Sequence, residues 1–260
     1  MVRAPAATHP HLARAGHFLR SRAALHNTPL TDIEKLRTPR AAESDDEAAI
    51  FGRLESQGEV RAIFYLTPLR RLGLTPLSAA QTDTLAAHLA GLGHSPAHVI
   101  AERDTAGAFS ESRQKHTRAA SAPFWKTHLY RLGTLTPPQP GPAGQGRLTG
   151  RKDRDEIVHW CREFCVEVEE QRSIDLIDAG SWEDSRFGDR RFMFWETPEG
   201  VPVSMAASTS VVGGTAGATD VVLFTDPDNP TSNALYQRIG YVHLADFAGY
   251  RFSYDAPEAG

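Results

Sequence analysis

The sequence predicts an α/β protein with mixed sheets, organised as two domains. Segments with apolar residues at helical spacing alternate with segments rich in β-branched and aromatic residues along the whole chain. A length of 260 residues is long for one domain and comfortable for two. The stretch TLTPPQPGPAGQG, residues 134–146, resists both helix and sheet because proline cannot donate a ladder hydrogen bond and glycine loses much backbone entropy on ordering. We therefore expect an α/β domain over residues 1–133, a linker over 134–146 and a second domain over 147–260.

Composition and charge exclude several classes of protein. A hydrophobic fraction of 40% and a charged fraction of 23% are typical of a soluble globular protein. The formal net charge of -4 provides no electrostatic reason to expect nucleic acid or a membrane surface as a partner. The N-terminal segment is interrupted by arginine and histidine, unlike a signal peptide, and no apolar run approaches membrane-spanning length. Two cysteines do not form a disulfide framework, so we expect a reduced, cytoplasmic context.

The sequence of the N-terminal half predicts alternating helices and strands. A helix is expected to begin near Asn27, with Pro29 at an early position where its missing N–H does no harm. The further elements expected are strands over 48–54 and 60–66, a helix over 79–92 ended by Gly93, a strand over 98–101, a basic helix over 110–118 and a strand over 126–132. No residues in this half have the spacing of a catalytic site.

The C-terminal half begins with a predicted helix. Asp153 and Glu156 have the spacing of a capping box, and an apolar stripe follows at helical spacing. The further elements expected are a helix over 173–179, a β-hairpin of 191–197 and 201–207, a strand over 221–225, a helix over 232–239 and closing strands over 241–246 and 249–254. The strand over 221–225 is short, apolar and made of β-branched and aromatic residues with one leucine, which favours a parallel strand covered on both faces.

The loop and helix after this strand carry the most informative residues. Ligands bind at the carboxyl ends of parallel strands, where Asn229 can hydrogen-bond a ligand that carries an amide. Tyr236 lies seven residues later, about two helical turns, and so is expected on the same face as Asn229. A phenol has a reference pKa of about 10, stays protonated at neutral pH and can donate a proton to a leaving anion.

The segment Asn229-Pro-Thr-Ser232-Asn-Ala-Leu-Tyr236-Gln-Arg-Ile-Gly240-Tyr241 resembles the closing signature of the GNAT-type N-acetyltransferases. Residues 149–167 also resemble the first helix of that family, and the hairpin around Pro198 resembles its antiparallel strands. The resemblance covers roughly residues 146–254. The N-terminal half resembles, more weakly, the degenerate partner domain of tandem members of the family.

The resemblance implies transfer of an acetyl group from acetyl-CoA, as co-substrate, to a primary amine of a small molecule or a protein. Asn229 would contact the pantetheine arm of coenzyme A, Ser232 would line the same wall, and Tyr236 would protonate the departing thiolate. No metal, nucleic acid or membrane is implied. No general base is singled out, although Glu196 is on a plausible central strand. The alternative is a non-catalytic, degenerate member of the family that binds a small molecule or a protein.

The sequence departs from the family between the hairpin and the strand over 221–225. The family places a strand and a long helix there, and the turn between them binds the pyrophosphate through backbone N–H groups at a helix N-terminus. A strand–helix–strand crossover needs about 30 residues, and residues 208–220 are too few. The glycines of 213–217 suit a plain connecting loop better than a phosphate cradle. We therefore expect an internal deletion near 208–220, with 201–207 and 221–225 in one sheet and no long helix between them.

Cysteine and histidine are weaker candidates for a site. Cys161 and Cys165 are spaced i, i+4 and could share a helix face, but further metal ligands are not found at ligand spacing. Burial of both thiols beside Phe164 is the favoured interpretation. The eleven histidines are scattered and form no HExxH motif, so most are expected on the surface or in loops.

The missing pyrophosphate unit predicts weak binding of acetyl-CoA. Charge-assisted hydrogen bonds are each worth about 1.5–3 kcal/mol, and the family uses several of them on the coenzyme phosphates. We expect affinity lower by orders of magnitude than that of a complete site. Calorimetric titration measures this directly, and a dissociation constant in the low micromolar range would contradict the expectation.

Overall fold

The predicted α/β fold class is confirmed by a computed structural model, which describes residues 9–36, 49–185, 187–188, 190–208 and 220–254. Contacts divide the chain into two compact units. The first contains residues 1–136 and 218–260, and the second contains 137–217. None of the helices in the described ranges combines the length and the apolar character that a bilayer crossing requires.

The first unit contains most of the regular structure. Its helices are α1 (His9–Arg20), α2 (Asn27–Leu36), α3 (Ala79–Gly91), α4 (Arg103–Thr117) and α7 (Pro230–Arg238). Its strands are β1 (Ile50–Ser56), β2 (Glu59–Leu66), β3 (Arg71–Leu74), β4 (His98–Glu102), β5 (Ala120–Leu132), β9 (Val222–Thr225) and β10 (Tyr241–Ser253). The second unit contains β6 (Gln145–Leu148), α5 (Arg154–Glu167), α6 (Gln171–Asp178), β7 (Arg191–Glu196) and β8 (Pro202–Ser208).

The seven strands of the first unit form one sheet in the order β1-β2-β3-β4-β10-β5-β9. β3 and β4 are parallel, and every other neighbouring pair is antiparallel. β10 comes from the end of the described chain and lies between β4 and β5. The two units therefore have other bounds than the expected domains 1–133 and 147–260. Residues 218–260 belong to the first unit, because β9 and β10 pair with strands of the N-terminal half.

Two apolar clusters hold the first unit together. The larger lies beneath α3 and α4, where Leu72, Leu89, Val99 and Phe109 are almost fully buried. α3 begins with a capping box between Ser78 and Gln81. The smaller cluster consists of Leu25, Leu129, Ala245 and Phe247 and covers one face of the β5–β10 pair.

The second unit packs α5 and α6 on the antiparallel sheet β6-β7-β8. Cys161 and Cys165 are both buried in its core beside Phe192 and Phe194, which confirms the predicted burial of the two thiols. The predicted capping box at Asp153 is wrong. The carboxylate of Asp153 accepts from the backbone N–H of Gly150 at 2.7 Å and from Arg147 at 2.9 Å, and it makes no cap bond to α5.

Two expectations about the strand over 221–225 are wrong. β9 is antiparallel to β5 and lies at the edge of the large sheet, with Phe224 exposed. It also belongs to a different sheet from β8, which pairs with β7. The apolar run of β9 could not distinguish these arrangements, because periodicity carries no information about the partner of a strand. Residues 209–219, where the deletion and the absence of a helix were predicted, lie outside the described residues.

Gly240 ends the turn between α7 and β10 in a conformation that requires glycine. Its φ is +102°, and a Cβ at this position would lie 1.9 Å from the carbonyl oxygen of Thr134. Two backbone hydrogen bonds join residues 133–136 to the end of α7. The N–H of Gly133 donates to the Gly240 carbonyl and the N–H of Thr136 donates to the Ile239 carbonyl, both at 3.0 Å. The close approach of residues 133–136 thus fixes where α7 ends.

We expect Gly240→Ala to destabilise the protein more than Gly58→Ala. Gly58 also has a positive φ, +79°, but a Cβ there would meet nothing within 4 Å. Gly58→Ala should therefore show only the backbone penalty, about 1–3 kcal/mol, whereas Gly240→Ala adds a backbone clash. Free energies of unfolding from urea titrations measure both, and equal losses would show that the approach of Thr134 does not constrain the fold.

Candidate functional site

A turn and a helix cap position the residues that the sequence singled out. β9 ends at Thr225, and the carboxylate of Asp226 accepts from the backbone N–H of Asp228 at 2.8 Å. Asn229 is the N-cap of α7, and its Oδ1 accepts from the backbone N–H of Ser232 at 2.9 Å. Pro230 follows at the first helical position, where its fixed φ favours the helix. The local sequence therefore explains this helix start without a ligand.

The three predicted site residues lie on one short helix. Asn229 is at its cap, Ser232 is in its first turn, and Tyr236 is in its second turn. The Tyr236 ring is half-buried and meets the Tyr241 ring edge to face at a centroid distance of 5.7 Å. Burial, and then the nearby phenol of Tyr236, raise the pKa of Tyr241. α7 buries none of its own residues, so its outer face is open to solvent.

Asn233 holds the loop from within the helix and was missed by the sequence analysis. Its Nδ2 donates to the backbone carbonyls of Asp226, at 2.9 Å, and Asn229, at 2.7 Å. The side chain thereby bonds to the first and the last residue of the turn over 226–229. An asparagine four residues after a helix cap gives no signal that its side chain returns to the loop.

A second group of polar side chains lies on one face of the β5–β10 pair. His243 is directly opposite Tyr130, and Asp246 is directly opposite His128. His243 and Asp246 are three residues apart and would point to opposite faces of a regular strand. A β-bulge at Leu244 inserts one residue and brings both side chains to the face of His128 and Tyr130.

Asp246 is the centre of this group. Its Oδ1 lies 2.5 Å from His128 Nδ1 and 2.7 Å from His243 Nε2, and its Oδ2 lies 2.7 Å from Arg103 Nη2. Partial burial raises the pKa of Asp246, but the hydrogen bonds from the two histidines and the charge of Arg103 outweigh it and keep the pKa below its ordinary value. We call His128, His243 and Asp246 the His–Asp cluster.

Tyr130 connects the His–Asp cluster to α7. Its ring is buried and meets the rings of His243 and His128 edge to face, at centroid distances of 5.6 and 6.2 Å. Its hydroxyl accepts from Nε2 of Gln237 at 3.1 Å. Gln237 directly follows Tyr236, the predicted general acid. The hydrogen bond from Gln237 to Tyr130 therefore joins the helix that carries Tyr236 to a ring that packs on the cluster.

Sequence reasoning did not find the His–Asp cluster because its members are distant along the chain. His128 and Asp246 are 118 positions apart. Neither histidine belongs to a local motif, and a bulge is needed to align His243 with Asp246. Only the pairing of β5 with β10 brings these side chains together.

Glu196 does not have the properties of a general base. Its carboxylate is buried and lies 2.7 Å from Nη2 of Arg147, which also contacts Asp153. The hydrogen bond from Arg147 lowers the pKa of Glu196, which stabilises the charged form and weakens it as a proton acceptor. These three residues form an ion-pair network within the second unit.

No family model matches the chain, and no curated protein matches it by sequence. Several solved structures match in three dimensions. A Drosophila protein matches at 10% identity with a TM-score of 0.52, covering 98% of this chain and 99% of that one. A tandem GNAT protein from the clavulanic acid biosynthesis pathway matches at 14% identity with a TM-score of 0.48, covering 99% of each chain. A GCN5-related N-acetyltransferase from Kribbella flavida matches at 13% identity with a TM-score of 0.43, covering 73% and 86%.

A GCN5-related N-acetyltransferase and a tandem GNAT protein are thus among the solved structures that this chain matches. The likeness to the Drosophila protein extends over nearly all of both chains and concerns the fold.

Asn229→Ala should destabilise α7 by about 0.5–2 kcal/mol, because alanine cannot accept the hydrogen bond from Ser232. Asn229→Asp should leave stability almost unchanged, since aspartate caps helices as well as asparagine does. Urea titrations of both variants measure the difference. If Asn229→Ala unfolds at the same urea concentration as the unsubstituted protein, the cap bond contributes nothing to stability.

Proposed function

We propose that this chain transfers an acetyl group from acetyl-CoA to a primary amine of a small molecule or a protein. The observation that carries the proposal is the segment from Val222 to Tyr241. It folds as a strand, an asparagine-capped helix and a Gly-aromatic turn, in the order implied by the resemblance of its sequence to the GNAT-type acetyltransferases.

Asn229 can cap the helix and bind the cofactor at the same time. The cap bond uses the side-chain Oδ1, whereas Nδ2 is a donor. A donor at this exposed position suits an amide carbonyl of the pantetheine arm. Ser232 follows in the first turn of the same helix, where its hydroxyl would line the same wall.

Tyr236 would serve as the general acid. The neutral amine attacks the thioester carbonyl, the tetrahedral intermediate collapses, and the C–S bond breaks. The electron pair of that bond leaves with sulfur, and the Tyr236 phenol donates its proton to the thiolate. The nitrogen releases its extra proton to water as the amide forms, and the Tyr236 phenolate regains a proton from water. Water or a carboxylate would accept the proton of the incoming ammonium.

Tyr236→Phe tests this role, because it removes one hydroxyl and keeps the ring against Tyr241. General acid catalysis contributes about 10²–10⁴-fold, so turnover should fall within that range while acetyl-CoA binding changes little. The lower end is expected because a thiol, with a reference pKa of about 8.5, is already a fair leaving group. Turnover and melting temperature should be measured on the same preparation.

Tyr241→Phe is the matched control, since it removes a hydroxyl from the other ring of the same pair. Its turnover should match that of the unsubstituted protein. If Tyr236 is only a packing residue, Tyr236→Phe should change neither turnover nor stability, because phenylalanine keeps the ring contact with Tyr241. Unchanged turnover in a well-folded Tyr236→Phe would remove this residue from the mechanism.

The second candidate function is a non-catalytic module that binds a small molecule or a protein. It is favoured by the length of the chain between β8 and β9, residues 209–221, which is short for a strand–helix–strand crossover of about 30 residues. Acetyl-CoA separates the two candidates. An acetyltransferase should gain melting temperature with acetyl-CoA and release coenzyme A when a primary amine is added, whereas the module should do neither.

Asn229→Asp tests whether the side-chain amide of Asn229 contacts acetyl-CoA. This variant keeps the helix cap but replaces the Nδ2 donor by an acceptor. Under the proposed function it should keep its stability and lose the melting-temperature gain caused by acetyl-CoA. An undiminished gain would exclude Asn229 from the cofactor site.

A further inference from the structure

The His–Asp cluster has the geometry of a metal-ion site. One donor atom from each of His128, His243 and Asp246 lies within 4.8 Å of the other two. Both imidazole nitrogens approach the same carboxylate oxygen, Oδ1. The two rings are nearly perpendicular, at 88°, with centroids 5.0 Å apart. Three donors of the kinds that bind transition metals therefore converge on one point.

The surroundings of the cluster are those of a supported ligand set. Ligating carboxylates in metal sites are themselves hydrogen-bonded by outer residues. Arg103 provides that contact here, since it binds Oδ2 of Asp246 and leaves Oδ1 facing the histidines. The buried ring of Tyr130 packs against both imidazoles, and Gln237 holds its hydroxyl. The donors are thus oriented by contacts outside the cluster.

We propose that His128, His243 and Asp246 bind a divalent transition-metal ion of the zinc class. Two imidazoles and one monodentate carboxylate suit Zn²⁺ or Co²⁺, whereas Ca²⁺ and Mg²⁺ prefer oxygen ligands throughout. Three protein ligands leave a fourth position open. The side chain of His243 is 43% exposed, so water can reach that position.

Such an ion would link β5 to β10. His128 is on β5, while His243 and Asp246 are on β10, and the ligand set is complete only when these strands pair in the observed register. The ion would therefore bind the folded protein in preference to the unfolded chain and stabilise it. This inference does not depend on the proposed acetyl transfer.

The test is metal binding by the full chain, prepared without a histidine tag and stripped with EDTA. Calorimetric titration with Zn²⁺ should give one equivalent bound, and Co²⁺ should show the visible absorption of an ion held by protein nitrogen and oxygen ligands. Zn²⁺ at saturating concentration should raise the melting temperature, and EDTA should reverse the change.

Variants assign the binding to the cluster. His128→Ala and His243→Ala should each weaken Zn²⁺ binding at least 10-fold, in line with the 10–100-fold losses seen when even outer contacts of metal sites are removed. His116→Gln is the control, because His116 pairs with Asp83 at 3.0 Å in the same way, but no second imidazole of the described part of the chain reaches that carboxylate. Its binding should be unchanged.

Two results would overturn the proposal. One is the absence of stoichiometric Zn²⁺ and Co²⁺ binding by the unsubstituted protein. The other is unchanged binding in both alanine variants, with circular dichroism showing that they fold. Either result would leave the cluster as a hydrogen-bond network in which Asp246 orients two imidazoles.

Discussion

The placement of β10 between β4 and β5 is the constraint on which the first unit depends. β10 pairs with β5 along its whole length and with β4 over its second half. Without it, β5 and β9 would have no hydrogen-bonded connection to the β1–β4 part of the sheet within the described residues. The side chains of β10 also complete both apolar clusters, through Ala248 and Phe252 on one side and Ala245 and Phe247 on the other.

The bulge at Leu244 brings several polar side chains to one face of the β5–β10 pair. It lets Ala245 face the apolar cluster opposite Leu129 while His243 and Asp246 both face the opposite side with His128 and Tyr130. A bulge adds one residue and re-aims the side chains that follow it, which is why bulges recur next to functional sites. One irregular residue thus places His243 and Asp246 together on the face opposite that of Ala245.

α7 presents the predicted cofactor residues with little burial of its own. It is held by its connections: the cap bond from Ser232 to Asn229, the Asn233 contacts to the preceding turn, the Gln237 bond to Tyr130, and the approach of Gly240 to Thr134. A helix held by its ends can expose one whole face. This arrangement leaves the Asn229 side-chain amide at the surface while its backbone stays fixed.

Local sequence determined most of the individual elements. Turn and cap chemistry predicted the hairpin around Pro198 and the helix that starts at Asn27, and residue patterns predicted strands over 48–54 and 60–66 and a helix over 232–239, because these signals act over a few residues. The predictions failed where a distant partner decides. Asp153 contacts Arg147 rather than capping its helix, and β9 is an antiparallel edge strand although its apolar run suggested a covered parallel one. Tertiary structure alone decided that β9 and β10 join the N-terminal half and that His128 meets Asp246, because strand pairing is set by contacts between distant segments and leaves no periodic trace in either strand.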